Sequence, residues 1–82
     1  MKNILIIGAG AMGAAFTFPC IDNKHNVTLS EPYNFKLIKK LNSNKKFHPS
    51  LKIRLNKKLT IKNFTGELLN KKWDLIVIAV SS

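Results

Sequence analysis

Three glycines near the N-terminus have the spacing at which a polypeptide backbone can bind phosphate. Gly8, Gly10 and Gly13 form the pattern G-x-G-x-x-G directly after an apolar run at residues 4–7. Gly8 allows a tight turn off a strand, Gly10 lets the backbone approach a pyrophosphate, and Gly13 lets a helix pack against that strand. The N-terminus of such a helix presents free N–H groups and a partial positive charge to phosphates. The pattern therefore predicts a dinucleotide-binding turn, as found in nicotinamide- or flavin-dependent oxidoreductases.

An acidic residue follows this turn at the distance that ribose recognition requires. Glu31 ends the second short apolar run, close to the roughly 20 positions expected between the glycines and a ribose-binding acid. A carboxylate at that place accepts hydrogen bonds from ribose hydroxyls and repels a 2′-phosphate. We therefore expect NAD as the cofactor, with NADP as the alternative because Lys24 and Lys36 lie nearby in the sequence.

The order of apolar runs predicts alternating strands and helices. Residues 3–7 form a continuous aliphatic run, typical of a strand buried on both faces of a parallel sheet. Further strands are predicted at 27–29, 59–61 and 74–80, with helices from 11 to about 21 and at 35–41, a short helix or helical turn at 66–72, and a loop at 42–56. This alternation predicts an α/β fold with a Rossmann-type parallel sheet.

Several side-chain environments follow from the same patterns. Residues 74–80 predict another buried strand, and Leu68 and Leu69 are expected to face inward. The helix at 35–41 is expected to be amphipathic, with an apolar face of Phe35, Leu37, Ile38 and Leu41 and an outward face of Lys36, Lys39 and Lys40. Cys20 is expected to be buried. Pro19 is expected to kink or shorten the first helix, because proline removes a helical hydrogen bond.

The length of the chain limits how much of this fold it can form. The 82 residues form at most one small domain, whereas a complete doubly wound sheet needs two βαβ halves. A buried strand at 74–80 should lead into more protein. We therefore expect residues 1–82 to be a partial dinucleotide-binding domain, the N-terminal half of the sheet, from a truncated chain. The rest of the sheet would lie beyond Ser82.

The net charge of +10 raises the question of a nucleic-acid partner. The lysines occur as scattered pairs rather than as one stripe interleaved with aromatic residues, which favours a solvated surface. We expect no nucleic-acid partner. A non-catalytic basic binding module stays open as an alternative of another class.

Other functional classes receive little support from the residues. No apolar run approaches the roughly 18–20 residues needed to span a bilayer, and a single cysteine fits a reducing compartment, so we expect a cytoplasmic protein without a membrane partner. His25 and His48 are not at metal-ligand spacing, and His48 is expected to be a loop residue beside Pro49. The four acids form no acid–base pair, so we assign no catalytic residue and no metal ligand.

Longer stretches of the sequence resemble a known enzyme family. Residues 7–13 alone look equally like the ketopantoate reductases. Residues 14–19 with Pro19, the turn and strand at 22–29, the His48-Pro49-Ser50-Leu51 segment and the run at 74–82 are together similar to the N-terminal domain of NAD(P)-dependent glycerol-3-phosphate dehydrogenases. The resemblance covers the whole chain, so this family is favoured and ketopantoate reductase is the alternative.

The resemblance implies a function and further site residues. The activity would be hydride transfer between a nicotinamide cofactor and glycerol 3-phosphate or dihydroxyacetone phosphate, a reaction of glycerol-3-phosphate metabolism and phospholipid biosynthesis. Ala11 and Met12 would join Gly8, Gly10 and Gly13 in the pyrophosphate loop, Glu31 would meet the adenosine ribose, and Val80 and Ser81 would lie near the cofactor. The full-length enzyme would be a possible homo-oligomer.

The sequence also departs from the family. The loop positions that are often Ser and an aromatic are Ala11 and Met12, and the usual glycine before the turn histidine is Lys24. The family's catalytic lysine lies past the fourth strand and its substrate site lies in a C-terminal helical domain, so both would be absent from residues 1–82. The resemblance therefore implies a cofactor-binding piece without turnover of its own.

Overall fold

The computed structural model of the chain describes residues 1–80. In chain order, the elements of this range are β1 (Asn3–Ile7), α1 (Ala11–Asp22), β2 (Asn26–Glu31), α2 (Phe35–Ser43), β3 (Phe47–His48), β4 (Ile53–Arg54), β5 (Thr60–Asn63), a 3-10 helix (Gly66–Asn70) and β6 (Leu75–Ile78). Every strand and helix predicted from the sequence is present. Neither α1 nor α2 is long and apolar enough to cross a membrane.

Within the described residues, four strands form a parallel sheet in the order β5-β2-β1-β6. β1 is central, since Ile6 pairs with Leu29 of β2 on one side and with Val77 of β6 on the other. β2 continues the sheet to β5 through the pair Leu29 and Ile61. The chain adds β2 and β5 on one side of β1 and then β6 on the other, so the strand order reverses beside β1. This topology confirms the α/β prediction and is that of a partial Rossmann-type domain.

The core forms where the two helices pack against β1, β2 and β5. Leu5, Ile6 and Leu29 of the central strands and Leu41 of α2 are fully buried. Burial of such a side chain stabilises the fold by about 1.5–3 kcal/mol. Cys20 of α1 is also buried, as predicted. The apolar run at residues 4–6 therefore fixes β1 at the centre of the sheet, and with it the position of the turn that follows.

The prediction of a buried strand at residues 74–80 is wrong for most of its side chains. Leu75, Ile76 and Ile78 of β6 are 48%, 43% and 71% exposed. β6 pairs with β1 along one edge, whereas the helices pack mainly on β1, β2 and β5. An aliphatic run identifies the strand, but burial also requires a neighbour on the second edge and a helix over each face.

Two other apolar residues are exposed against expectation. Phe35 is 55% exposed because it is the first residue of α2, and the buried positions of the helix, Ile38 and Leu41, lie further along it. Leu69 is 51% exposed, although Leu68 beside it is buried. Their segment is a 3-10 helix with three residues per turn, so consecutive side chains point about 120° apart and only one of them faces the core.

The predicted loop at residues 42–56 contains a short antiparallel ladder. Phe47 of β3 pairs with Arg54 of β4, and His48 with Ile53. Lys46 holds this ladder against the strand that follows, because its Nζ donates hydrogen bonds to the carbonyl oxygens of Lys57 and Leu59 at 2.6 and 2.5 Å. Burial lowers the pKa of Lys46. The segment is therefore ordered, and it places His48 next to β1.

Helix α1 continues past Pro19 to Asp22, so the proline does not end it. The helix terminates in a Schellman motif, in which the N–H groups of Lys24 and His25 donate to the carbonyl oxygens of Ile21 and Cys20 at 2.8 and 3.1 Å. This motif needs a left-handed residue after the cap, usually glycine. Lys24 has that conformation, with φ of 64°.

Candidate cofactor-binding site

The glycine pattern lies at the carboxyl end of β1, beside the point where the strand order reverses. Gly8 has φ of 118°, a conformation that glycine adopts without strain. A Cβ atom at Gly8 would lie 2.6 Å from the carbonyl carbon and oxygen of Ala79, so the turn also passes closely over the chain after β6. Both observations explain why glycine ends β1, and they confirm the tight turn predicted there.

The other two glycines have the geometry expected of a phosphate loop. A Cβ atom on Gly13 would overlap the Gly8 carbonyl oxygen and approach the Cβ of Ala79 to 3.4 Å, so Gly13 lets α1 pack against the end of β1. A Cβ atom on Gly10 would meet nothing within 4 Å and would point into open space. A ligand can therefore approach the backbone at Gly10 without meeting a side chain from that residue.

The first turn of α1 offers donors for an anion. Gly10 caps the helix with φ of −66° and, having no side chain, makes no capping hydrogen bond. The N–H groups of Ala11, Met12 and Gly13 belong to the first turn, which has no acceptors within the helix. The first turn also contains no acidic residue. The positive end of the helix dipole is therefore free to attract phosphate.

Glu31, the last residue of β2, contacts this loop directly. It is only 7% exposed, and its Oε1 accepts a hydrogen bond from the N–H of Ala9 at 2.7 Å. Its Oε2 accepts from the N–H groups of Tyr33 and Asn34 at 2.9 and 3.0 Å. The carboxylate thus joins the end of β1 to the turn before α2. This structural task of Glu31 is additional to the ribose contact that the sequence predicts.

The hydrogen bonds of Glu31 determine its charge. Burial acts to raise the pKa of this carboxyl. The hydrogen bonds from the backbone N–H groups of Ala9, Tyr33 and Asn34 together outweigh burial, so the pKa lies below its ordinary value of 4.5. Glu31 is therefore ionised at neutral pH. An ionised carboxylate offers about four acceptor positions. Three are occupied by backbone N–H groups, which leaves one for a hydroxyl in the cleft.

His48 contacts the same loop at the carbonyl group of Ala9, whereas Glu31 contacts its N–H group. It is 1% exposed, and its Nε2 lies 2.8 Å from the carbonyl oxygen of Ala9. Its Nδ1 lies 3.2 Å from the backbone nitrogens of Ser50 and of Leu51. The expectation of a loop residue beside Pro49 is wrong, since His48 belongs to β3 and its ring is buried against the glycine turn.

A cleft of about 320 Å³ opens over the loop. The residues that line it include six of those proposed from the sequence: Gly8, Gly10, Ala11, Met12, Glu31 and Val80. The other four lining residues are Tyr33, Asn34, Leu37 and Ala79. Gly13 lies beneath the cleft, where it contacts Gly8. Ser81 lies outside the described residues, so its place near a cofactor stays a prediction.

Neither metal ligands nor cations contribute to this cleft. In residues 1–80, no three His, Cys, Asp or Glu side chains form a group that could hold a metal ion. The lining described above includes no lysine or arginine. Lys24 lies instead beside Met1, His25 and Asn26, at the amino end of the sheet. A phosphate in this cleft would therefore meet backbone donors rather than cationic side chains.

A comparison with known families assigns the chain. The family model for the N-terminus of NAD-dependent glycerol-3-phosphate dehydrogenase matches residues 3–82. The chain belongs to this family. A comparison with curated proteins finds no match. Membership of this family supports a nicotinamide dinucleotide as the ligand, and the glycine loop, the N-terminus of α1 and the cleft are features of this chain that fit a dinucleotide.

Sequence reasoning missed several residues of this site. Tyr33, Asn34 and Leu37 line the cleft because the turn after Glu31 folds back towards the glycine loop. The Pro32 that ends β2 was the available signal for a turn at that place. No local pattern predicts the contact between His48 and Ala9, because 39 residues separate them and a single side-chain hydrogen bond joins them.

Proposed function

We propose that this chain binds a nicotinamide dinucleotide over the Gly8–Gly13 turn, as the cofactor-binding part of a glycerol-3-phosphate dehydrogenase. The observation that carries the proposal is the open space at Gly10. This space lies in front of the N-terminus of α1, which has neither a capping side chain nor an acidic residue in its first turn. A dinucleotide places its pyrophosphate at such a position. Membership of the family supports nicotinamide as the reactive part of that dinucleotide.

Each residue of the cleft would have a limited task toward the cofactor. The N–H groups of Ala11, Met12 and Gly13 would bind the pyrophosphate oxygens. The free acceptor position of Glu31 would receive one ribose hydroxyl. Val80, which lines the cleft, and Ser81 would lie near the cofactor. The bound nicotinamide would supply or accept the hydride exchanged with glycerol 3-phosphate or dihydroxyacetone phosphate.

The charges at the cleft favour NAD over NADP. Glu31 is ionised, and a 2′-phosphate on the adenosine ribose would lie close to its carboxylate. A site that accepts NADP usually offers an arginine to that phosphate. The residues lining this cleft provide none. We therefore propose that NADPH binds more weakly than NADH.

Further protein is needed for the reaction. The exposed aliphatic side chains of β6 support the proposal that the sheet continues next to this strand, as a complete doubly wound domain would require. A separate substrate domain would supply the proton donor and the cations that bind the substrate phosphate. We assign no catalytic residue within residues 1–82 and expect no glycerol-3-phosphate oxidation from this chain alone. A cytoplasmic location fits the single, unpaired and buried Cys20 of the described residues.

A thermal-shift measurement tests the proposal. The unfolding temperature of the 82-residue chain would be measured without ligand, with NADH and with NADPH at equal concentrations. A ligand that binds only the folded state raises this temperature, and at equal concentration the ligand with the higher affinity raises it more. We expect NADH to raise it and NADPH to raise it less. An equal effect of both would contradict the preference for NAD, and no effect of either would contradict dinucleotide binding.

A further inference from the structure

His48 is a buried polar residue, and none of the proposed contacts with the cofactor involves it. It lies in β3, outside the four-stranded sheet, and it does not line the cleft. Its side chain nevertheless ends at Ala9, the residue between the first two glycines of the loop. A buried imidazole needs partners for both ring nitrogens, and the contacts of His48 show what those partners are.

The contacts determine the tautomer of the ring. The N–H groups of Ser50 and Leu51 can only donate, so Nδ1 must be the acceptor at 3.2 Å from each nitrogen. A carbonyl oxygen can only accept, so Nε2 must donate its proton to Ala9 at 2.8 Å. His48 is thus a neutral imidazole with its proton on Nε2. It connects the turn after β3 to the glycine loop.

Ala9 is held at both of its backbone polar groups. Glu31 accepts from its N–H at 2.7 Å, and His48 donates to its carbonyl oxygen. The side chain of Ala9 is also fully buried. Two side chains from separate elements, β2 and β3, therefore fix one residue of the loop.

The His48 contact has a consequence for the next residue. In a planar trans peptide, the C=O of one residue and the N–H of the following residue point in opposite directions. The Ala9 carbonyl points toward the buried His48 ring, so the Gly10 N–H points away from it. Gly10 is exposed and lines the cleft. The direction of this donor therefore depends on the hydrogen bond that His48 makes.

We infer that His48 is a positioning residue for dinucleotide binding, which holds the Ala9–Gly10 peptide in the orientation that presents the Gly10 N–H to the pyrophosphate. The inference rests on the proposed function. Without the Nε2 donor, this peptide would have to be ordered when the ligand binds. Ordering one backbone residue weakens binding by about tenfold.

Two substitutions separate the loop contact from the general packing of His48. His48→Gln keeps an N–H donor at nearly the position of Nε2. His48→Asn keeps an acceptor near the position of Nδ1 but is too short to reach Ala9. Both variants remove the ring from a buried site, so a loss of stability should affect both. Urea unfolding would measure that loss, and NADH titration of the 82-residue chain would measure the affinity.

We expect His48→Gln to bind NADH within about threefold of the unsubstituted chain and His48→Asn to bind about tenfold more weakly, at comparable stabilities. Equal affinity in both variants and the unsubstituted chain would overturn the role of His48. Losses of affinity that follow stability rather than the donor would also overturn it. Absence of NADH binding by the unsubstituted chain would overturn the proposed function, and this inference with it.

A spectroscopic measurement on the unsubstituted chain does not depend on the folding of either variant. The nitrogen chemical shifts of the His48 ring distinguish a protonated from an unprotonated nitrogen. We expect a protonated Nε2 and an unprotonated Nδ1, as the hydrogen bonds of the ring require. A ring protonated on Nδ1 would contradict the hydrogen bonds to Ser50 and Leu51, and would overturn the inference.

Discussion

The carboxylate of Glu31 accepts a hydrogen bond from the backbone N–H of Ala9 at 2.7 Å. This contact joins the last residue of β2 to the turn that leaves β1, across a separation of 22 residues. The glycine loop is therefore held by the neighbouring strand as well as by its own glycines. An acid at the end of the second strand has a structural task in this domain even before a cofactor binds.

The pH dependence of stability should report this contact. The folded-state pKa of Glu31 lies below 4.5, so its contribution to stability is fully present above that pH and is lost as the pH falls through the lower, folded-state pKa. Glu31→Gln keeps the size of the side chain and removes the charge. We expect the variant to be less stable than the unsubstituted chain at pH 7, and the difference to shrink below pH 4.5.

Urea unfolding at a series of pH values would measure this difference. Glu67→Gln is the matched control, because Glu67 is exposed in the 3-10 helix. A stability difference for Glu31→Gln that stays constant between pH 7 and pH 3 would show that the ionised carboxylate of Glu31 does not stabilise the folded state.

Gly13→Ala should destabilise the domain. Alanine favours a helix interior over glycine by about 1 kcal/mol. At Gly13, however, the added Cβ would overlap the carbonyl oxygen of Gly8 and lie 2.9 Å from its carbon, and both atoms are fixed backbone. Overpacking of this kind typically costs about 1–3 kcal/mol, so after the gain in helix propensity we expect a net loss of up to about 2 kcal/mol.

Urea unfolding checks this prediction against Gly66→Ala, whose Cβ would meet nothing within 4 Å. The control should change the free energy of unfolding by less than about 0.5 kcal/mol. A Gly13→Ala variant as stable as the control would show that α1 does not pack on β1 as closely as described.

Lys24→Gly should stabilise the domain. Lys24 has φ of 64° at the position of the Schellman motif where glycine is preferred. A left-handed conformation costs a residue with a Cβ about 1–2 kcal/mol, and glycine avoids that cost but loses more entropy on folding. We expect a net gain of about 0.5–1 kcal/mol in urea unfolding. Lys24→Ala removes the charge but keeps the Cβ, so a gain as large in this variant would assign the effect to charge instead.

The sequence was sufficient for the strands and helices of the parallel sheet, but not for β3 and β4 or for the surroundings of each strand. The aliphatic run at residues 3–7 and the glycines after it predict β1, the turn and α1, because strand period, turn and helix start are local properties. The apolar run at 74–80 predicts β6 equally well. It could not predict that Ile78 is exposed, because burial depends on what lies beside the strand.

The sequence likewise predicted only part of the candidate site. Gly8 and Gly13 make the close backbone contacts that their spacing predicts, whereas the approach of a pyrophosphate to Gly10 stays a prediction. The hydrogen bonds of Glu31 to Ala9 and of His48 to Ala9 join segments that are distant in the chain. Such contacts depend on the tertiary arrangement of β2 and β3, which local sequence patterns do not specify.

The affinity of Gly10→Ala for NADH tests the central claim most directly. A Cβ at Gly10 meets no protein atom within 4 Å, and its φ of −66° suits alanine, so the variant should fold like the unsubstituted chain. The same Cβ would occupy the space proposed for the pyrophosphate. We expect saturable NADH binding by the unsubstituted chain and by Gly66→Ala, and binding at least about tenfold weaker by Gly10→Ala at equal stability. Equal NADH affinity in all three would contradict a dinucleotide bound over the Gly8–Gly13 turn.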